Sequence, residues 1–288
     1  MQPVSVTSAP FSGSLGLTPL GVGAHARSAD AALGEYQADL DGQWDVGSGK
    51  LHGGYLLALV AKAAVTGLAA DTDESLDPVA VSAEFLAAPD PGPARVRTQV
   101  LKRGRTVSVT RAELYQGDRL MLHSTVTAGK LLTGAEAPAP VWAELPEQPA
   151  EPPADAIATT DLDRTVPLAG ACEVRLDRPT VGYLRRETGP PVIRGWARPH
   201  GEQPDVLFAV MASDILPPVL FNVSRPGWSP TVQLTALMRA RPAPGWLRVI
   251  TSSRQVAAGW FDEDCVILDA TGTLICQSRQ LALAPLNK

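Results

Sequence analysis

Cysteine is scarce in this chain. Only three stand among 288 residues, Cys172, Cys265 and Cys276, with no Cys-x-x-Cys pair among them. An odd, scattered set excludes a disulfide framework and a paired-cysteine zinc site. It fits core thiols in a reducing, cytoplasmic setting. A Gly-x-Ser-x-Gly elbow is absent as well, and with it the usual signature of a serine hydrolase. Positive charge is not in excess: 25 Lys+Arg against 30 Asp+Glu give a net charge of −5, so no broad field would collect nucleic acid. Long hydrophobic runs are lacking apart from residues 53–70, and Lys62 interrupts that one. A helix apolar on every side then reads as the centre of a globular core and not as a membrane span. The opening stretch MQPVSVTSAPFSGSLG carries no positive charge ahead of an apolar run, so it does not read as a signal peptide, and fraying is expected there. No cofactor motif is present.

Proline and alanine, by contrast, are concentrated. AEAPAPVWAELPEQPAEPPADA, residues 135–156, has the composition of an extended linker. It divides the chain into residues 15–130, a linker over 131–164, and residues 165–288. The two halves resemble each other in order. VAVSAEFLAAPDPGPARV (79–96) lies over VQLTALMRARPAPGWLRV (232–249) without a gap, an offset of 153 residues (232 − 79). GDRLMLHSTVTA (117–128) lies over TGTLICQSRQLA (271–282) after a one-residue slip.

Each half therefore reads as a short strand or hairpin, one apolar segment of helical length (53–70 and 205–222), and a meander of about four strands. Connections so short demand antiparallel pairing. A curved sheet must bury one face, and an all-apolar helix fills it. The fold class is α+β, a double hotdog: two tandem repeats, each a curved antiparallel sheet wrapped around a central helix. A partly apolar outer face at Ile275, Leu281 and Leu283 predicts association into a homo-oligomer.

The second half, with DVLFAVMASDILPP, WSPTVQLTALMRARPAPGWLRV and GTLICQSRQLAL, resembles the type II acyl-CoA thioesterases and their bacterial double-hotdog relatives. The resemblance spans about 15–130 and 165–285. It implies an acyl-CoA substrate, hydrolysed by a water held between an Asp, a Thr and a Gln, here Asp214, Thr231 and Gln280. The family pattern has an acid where this chain has Gln233.

GKLHGGYLLALVAKAAVTG, residues 49–67, contributes the other half of the argument. His52, Gly53 and Gly54 lead into the first helix, where unpartnered N–H groups and the positive end of the helix dipole suit an oxyanion. The first half is similar to single-hotdog thioesterases, which carry an acid nine residues after the His-Gly-Gly; that place is Ala61. Adding 153 to 61 gives Asp214, so the missing acid stands in the other repeat. The same offset takes His52 to Asp205, which no glycine pair follows. One composite site is expected: Gly53 and Gly54 at the oxyanion, Asp214 polarising water from across the pseudo-twofold.

Other assignments stay open from sequence. Strict alternation puts Thr231 with Gln233 and Thr235 on one face of its strand and Val232, Leu234, Ala236 and Met238 on the other, and either face could line the site. Arg103 and Arg105, in LKRGRTVSV beside Lys102, fit either the phosphates of coenzyme A or a solvated turn. A non-catalytic acyl-CoA or acyl-chain binding protein is the alternative function. A hotdog enoyl-CoA hydratase is a minor one, since His200 has no acid in the expected spacing.

Overall fold

The computed structural model describes residues 10–21, 33–47, 49–69, 75–133, 136, 147–162 and 166–285. Residues 1–9, within the stretch expected to fray, and most of 134–146, within the expected linker, lie outside the described residues.

In chain order the strands are β1 (Thr18–Gly21), β2 (Leu33–Leu40), β3 (Asp77–Phe85), β4 (Gly92–Lys102), β5 (Ser108–Gln116), β6 (Arg119–Gly129), β7 (Ile157–Ala158), β8 (Cys172–Leu176), β9 (Val192–Pro199), β10 (Thr231–Met238), β11 (Leu247–Ser252), β12 (Val256–Ala257), β13 (Trp260–Leu268) and β14 (Leu274–Leu283). The α-helices are α1 (Phe11–Ser14), α2 (Gly53–Ala69), α3 (Leu168–Ala171) and α4 (Val206–Ala212). One continuous sheet runs β1-β2-β4-β5-β6-β3-β10-β14-β13-β11-β9-β8-β7, with β12 paired to β13. Every strand pair in it is antiparallel, as the short connections require. The double hotdog stands: each half wraps its own helix, and β3 and β10 join the halves at the centre.

The register of that central pair carries the repeat. Ser82 and Thr235 are direct partners, and they are also equivalent by the 153-residue offset. The pseudo-twofold axis passes between them, and their hydroxyls lie 2.8 Å apart on the outer face of the sheet. Even the irregularity repeats. A β-bulge falls at Val232 in β10 and another at Val79 in β3, again 153 apart (232 − 79).

The two central helices meet tightly. In α2, Tyr55 to Ala61, Ala63 and Ala64 are buried, which explains a segment apolar on all sides: it packs both on its own sheet and on α4. The second apolar segment differs from expectation. Residues 205–222 do not form one helix; α4 ends at Ala212, a turn follows, and a 3₁₀ turn occupies Val219–Val223. Pro217 and Pro218 are the physical reason, since they lack N–H donors and turn the preceding residue away from helical backbone. Asp214 thus sits just past the helix end.

Three further expectations change. Residues 10–17 are not all loose: Phe11 and Leu15 are buried, and the Phe11 ring packs edge-on against Trp44 and Phe208. The stretch read as linker holds to the second half from residue 148 onward, where Gln148 donates to the Gly195 carbonyl and Trp196 donates to the Pro149 carbonyl, both at 2.8 Å. Ile275 is fully buried and no part of the outer face, whereas Leu281 and Leu283 are exposed there. Cys172, Cys265 and Cys276 are free and buried, as core thiols. Among the described residues no helix is long and apolar enough to cross a membrane.

Candidate active site

The first helix begins where it does because of the loop before it. Asp45 accepts from the N–H groups of Gly47 and Gly49, and His52 N–H donates to the Trp44 carbonyl at 2.9 Å, closing the turn that delivers His52 to the helix start. The His52 ring is then oriented by two bonds. Its Nδ1 accepts from Tyr55 N–H at 3.2 Å, so the proton is on Nε2, which donates to the backbone carbonyl of Asp214 at 2.7 Å. That carbonyl is available only because α4 has already ended.

The acid arrives from the other half. Asp214 Oδ2 accepts from Gly54 N–H at 2.9 Å and lies 3.6 Å from His52 Nε2. Two glycines make this approach possible. A Cβ on Gly54 would stand 2.2 Å from the Met211 carbonyl oxygen and 3.1 Å from Asp214 Cβ; one on Gly53 would stand 2.8 Å from Asp214 Oδ2. Burial raises the Asp214 pKa; His52, Gly54 N–H and the Gln280 amide pull it back. The side chain keeps 13% of its surface open, enough for a water to reach it.

Thr231 and Gln280 come together as well. The bulge at Val232 turns Thr231 off the face that Gln233 and Thr235 occupy, so strict alternation fails and Thr231 points inward. Its hydroxyl donates to Gln280 Oε1 at 2.6 Å. Gln280 lies on the inner face of β14 with Cys276, Ser278 and Ala282, all buried.

Sequence reasoning missed Glu263. This side chain is 4% exposed, accepts from Gln280 Nε2 at 3.1 Å through Oε1, and from Val219 N–H at 3.1 Å through Oε2. Burial pushes its pKa up to about 8, with the Asp214 charge adding to the rise and the two N–H donors opposing it. The available signal was alternation: Phe261, Glu263, Cys265 and Ile267 are the alternate, buried positions of β13, so an acid occurs in an apolar row. The flanking Asp262 and Asp264 disguise it as part of a solvated run.

Arg103 and Arg105 are not brought to this place. Arg103 Nη1 donates to the Leu68 carbonyl at 3.2 Å, near the opposite end of α2. Fourteen residues (68 − 54) separate that end from Gly54, roughly 21 Å at helical rise. Arg105 is exposed on the same β4–β5 turn.

The pseudo-twofold equivalent of the cluster holds other residues. Ala61 stands for Asp214, and Asp205 for His52, where it caps its own helix by accepting from Phe208 N–H at 2.7 Å. The strand registers put Val126 in the place of Gln280 and Thr110 in that of Glu263.

Two hotdog repeats meeting at one cluster of polar groups at their helix junction define a double-hotdog protein. Profiles of protein families agree with that architecture. The acyl-CoA thioesterase N-terminal domain matches residues 40–129, and the acyl-CoA thioesterase C-terminal domain matches residues 143–284, starting within the stretch read as linker. The chain belongs to this acyl-CoA thioesterase family of double-hotdog proteins. It is similar to an uncharacterised protein of Mycobacterium tuberculosis, 42% identical over 268 residues, covering 87% of this chain and 91% of the relative. Among solved structures, a protein provisionally assigned as a thioesterase II from Thermobifida fusca is 30% identical with a TM-score of 0.78, covering 98% of this chain and 99% of that one. A hotdog-fold protein of unknown function from Alicyclobacillus acidocaldarius, 19% identical with a TM-score of 0.79 over 96% and 98% of the two chains, shares the fold.

Proposed function

We propose that this chain hydrolyses acyl-CoA thioesters to free acid and coenzyme A, with Asp214 as general base. The observation that carries the reading is the buried Asp214 carboxylate at the amino end of a helix from the other repeat, beside the Thr231–Gln280 pair. A buried acid so placed, with a small opening, is a site and not a surface charge.

In the proposed reaction a water stands between Asp214, Thr231 and Gln280. Asp214 takes a proton as the water oxygen bonds to the thioester carbon, and the carbonyl electron pair moves onto oxygen. Its raised pKa suits that task, because a base of higher pKa takes a proton from water more readily. The developing oxyanion lies at the start of α2, against Gly53, where the helix dipole favours negative charge. Gly54 N–H holds the carboxylate, so in this reading it serves the base and not the oxyanion, a division narrower than the glycine pair alone suggested. His52 fixes the Asp214 backbone. When the carbon–sulfur bond breaks, a leaving thiol of pKa about 8.5 needs little acid help, and the proton held by Asp214 completes the product thiol.

Incubation with a panel of acyl-CoAs and a thiol reagent tests the reading: release of free thiol, lost in Asp214→Asn, is the expected result. Binding of acyl-CoA without thiol release would make the chain a carrier.

A further inference from the structure

Pairing between the two halves is short. β3 and β10 are partners only from Ala80↔Leu237 to Glu84↔Gln233, and past Glu84 the two chains part. Phe85 stays with Leu122 of β6, and the Leu86 and Ala87 N–H groups both donate to the Met121 carbonyl, at 2.9 and 3.0 Å. Thr231 stays with Ala282 of β14, and Leu283 N–H donates to the Pro230 carbonyl at 3.0 Å. The sheet is therefore split at this rim, each strand end held by its own half. The split opens beside the buried acid: a Cβ on Gly53 would stand 3.4 Å from the Phe85 ring and 2.8 Å from Asp214 Oδ2. Two large apolar side chains stand in water at its lips. Leu86, on the β3 side, is 54% exposed, and Trp228, on the β10 side, is 49% exposed. Trp228 precedes Thr231 by three residues (231 − 228), at most about 10 Å of extended chain. A single exposed apolar residue is ordinary, but a pair flanking an opening onto a buried acid makes a contact surface.

The twofold-related rim is closed. There the buried Asp77 carboxylate accepts from Arg241 Nε through both oxygens at 3.0 Å, Leu131 N–H donates to Asp77 Oδ2 at 3.0 Å, and Arg241 N–H donates to the Leu132 carbonyl at 2.8 Å. First-half residues are thereby tied across the end of β10. The offset puts Pro230 in the place of Asp77 (77 + 153) and Ala88 in that of Arg241 (241 − 153), so the open rim has neither partner of this tie.

We propose that acyl-CoA enters through this one split and that the pantetheine arm of its coenzyme lies between Leu86 and Trp228. The proposal rests on the reading of Asp214 as base, which fixes the thioester carbon beside Gly53. Two chains leave that carbon. The sulfur side ends in a phosphorylated nucleotide, whose charges are too costly to bury, so this is the side that points through the split to water. The arm between sulfur and phosphate carries methyl and methylene groups as well as amides, and it matches apolar lips at a solvent boundary.

Cysteine labelling tests the route without relying on turnover. Cys172, Cys265 and Cys276 are buried, so a maleimide reads an introduced thiol, with wild type as the blank. Coenzyme A well above its Kd should slow labelling of Leu86→Cys at least about 10-fold. Leu132→Cys, an exposed position at the closed rim, should label at the same rate with and without coenzyme A. No protection of Leu86→Cys, equal protection at both positions, or protection by a free fatty acid in place of coenzyme A overturns the proposal.

Kinetics supply the second arm. Trp228→Ala should raise KM for acyl-CoA about 10-fold, and KM for the matching acyl-N-acetylcysteamine thioester, which has only the first bonds of the arm, less than about 2-fold. An equal rise for both thioesters would mean a distorted site and not a lost contact, and it overturns the proposal, as does no rise for either. Failure of wild type to release thiol from any acyl-CoA overturns the hydrolytic reading beneath, and the labelling of Leu86→Cys and Leu132→Cys then decides the route by itself.

Discussion

Gly54 N–H donates to Asp214 Oδ2 across 2.9 Å, although 160 residues separate them in the chain. The bond joins the start of one repeat's helix to the end of the other's, and it requires that position 54 carry no side chain. The Met211 carbonyl occupies the space a Cβ would need, 2.2 Å away.

Gly54→Ala should therefore be damaging even though alanine favours helices. The helix gain is worth about 0.5–1 kcal/mol, whereas forcing an atom against packed backbone costs about 1–3 kcal/mol and occasionally more. Urea denaturation should show a net loss of stability together with loss of hydrolysis. At Gly53 the nearest obstacle is a side-chain atom, Asp214 Oδ2, and not backbone, so Gly53→Ala should keep more of the stability and still lose rate. A stable, fully active Gly54→Ala protein would mean that the helix junction is looser than these distances.

The single composite site predicts one reactive acyl-CoA per chain at saturation. Ala61→Asp should not create a second centre, because the places equivalent to Gln280 and Glu263 hold Val126 and Thr110, and Asp205 caps its own helix. The buried new charge should cost stability instead. Equilibrium binding of a non-hydrolysable acyl-CoA to wild type, and active-site titration of the variant, check both statements; two sites in either would contradict them.

Much of this arrangement was legible in the sequence. The 153-residue offset located the helix pair, paired Ala61 with Asp214 and brought Asp214 to the start of the other repeat's helix, because a repeat preserves position even where residue type has drifted. The inward role of Thr231 was not legible, since a bulge at Val232 changes which face a residue takes without changing residue type. Neither was the early end of α4 fully read, though Pro217 and Pro218 announce it. Glu263 escaped notice for a compositional reason: two exposed-type neighbours of the same charge make an acid look solvated, and only its place in the buried row of β13 says otherwise.

Stability should depend on pH through the two buried acids. Burial raises the pKa of Glu263 to about 8 and raises that of Asp214, against an ordinary carboxylate range near 4 to 4.5. Across the interval from about pH 4.5 to about pH 8 the folded chain keeps the Glu263 proton that the unfolded chain has released, so this contribution is fully present below that interval and is lost as pH rises through it; the raised pKa of Asp214 acts in the same direction. Glu263→Gln removes the Glu263 part of this dependence. Its denaturation midpoint should fall less than that of wild type between about pH 5 and pH 8; parallel curves would show that Glu263 is already ionised at the lower end.

The most direct test of the composite site is the hydrolysis rate of Asp214→Asn, measured by thiol release at saturating acyl-CoA on protein shown to be folded and to bind the substrate. The amide can occupy the same space and accept from Gly54 N–H, but it cannot take a proton from water. The predicted result is a fall in kcat on the order of 10² to 10⁴-fold with binding retained. An unchanged kcat in the folded, substrate-binding variant would contradict the assignment of Asp214 as the base.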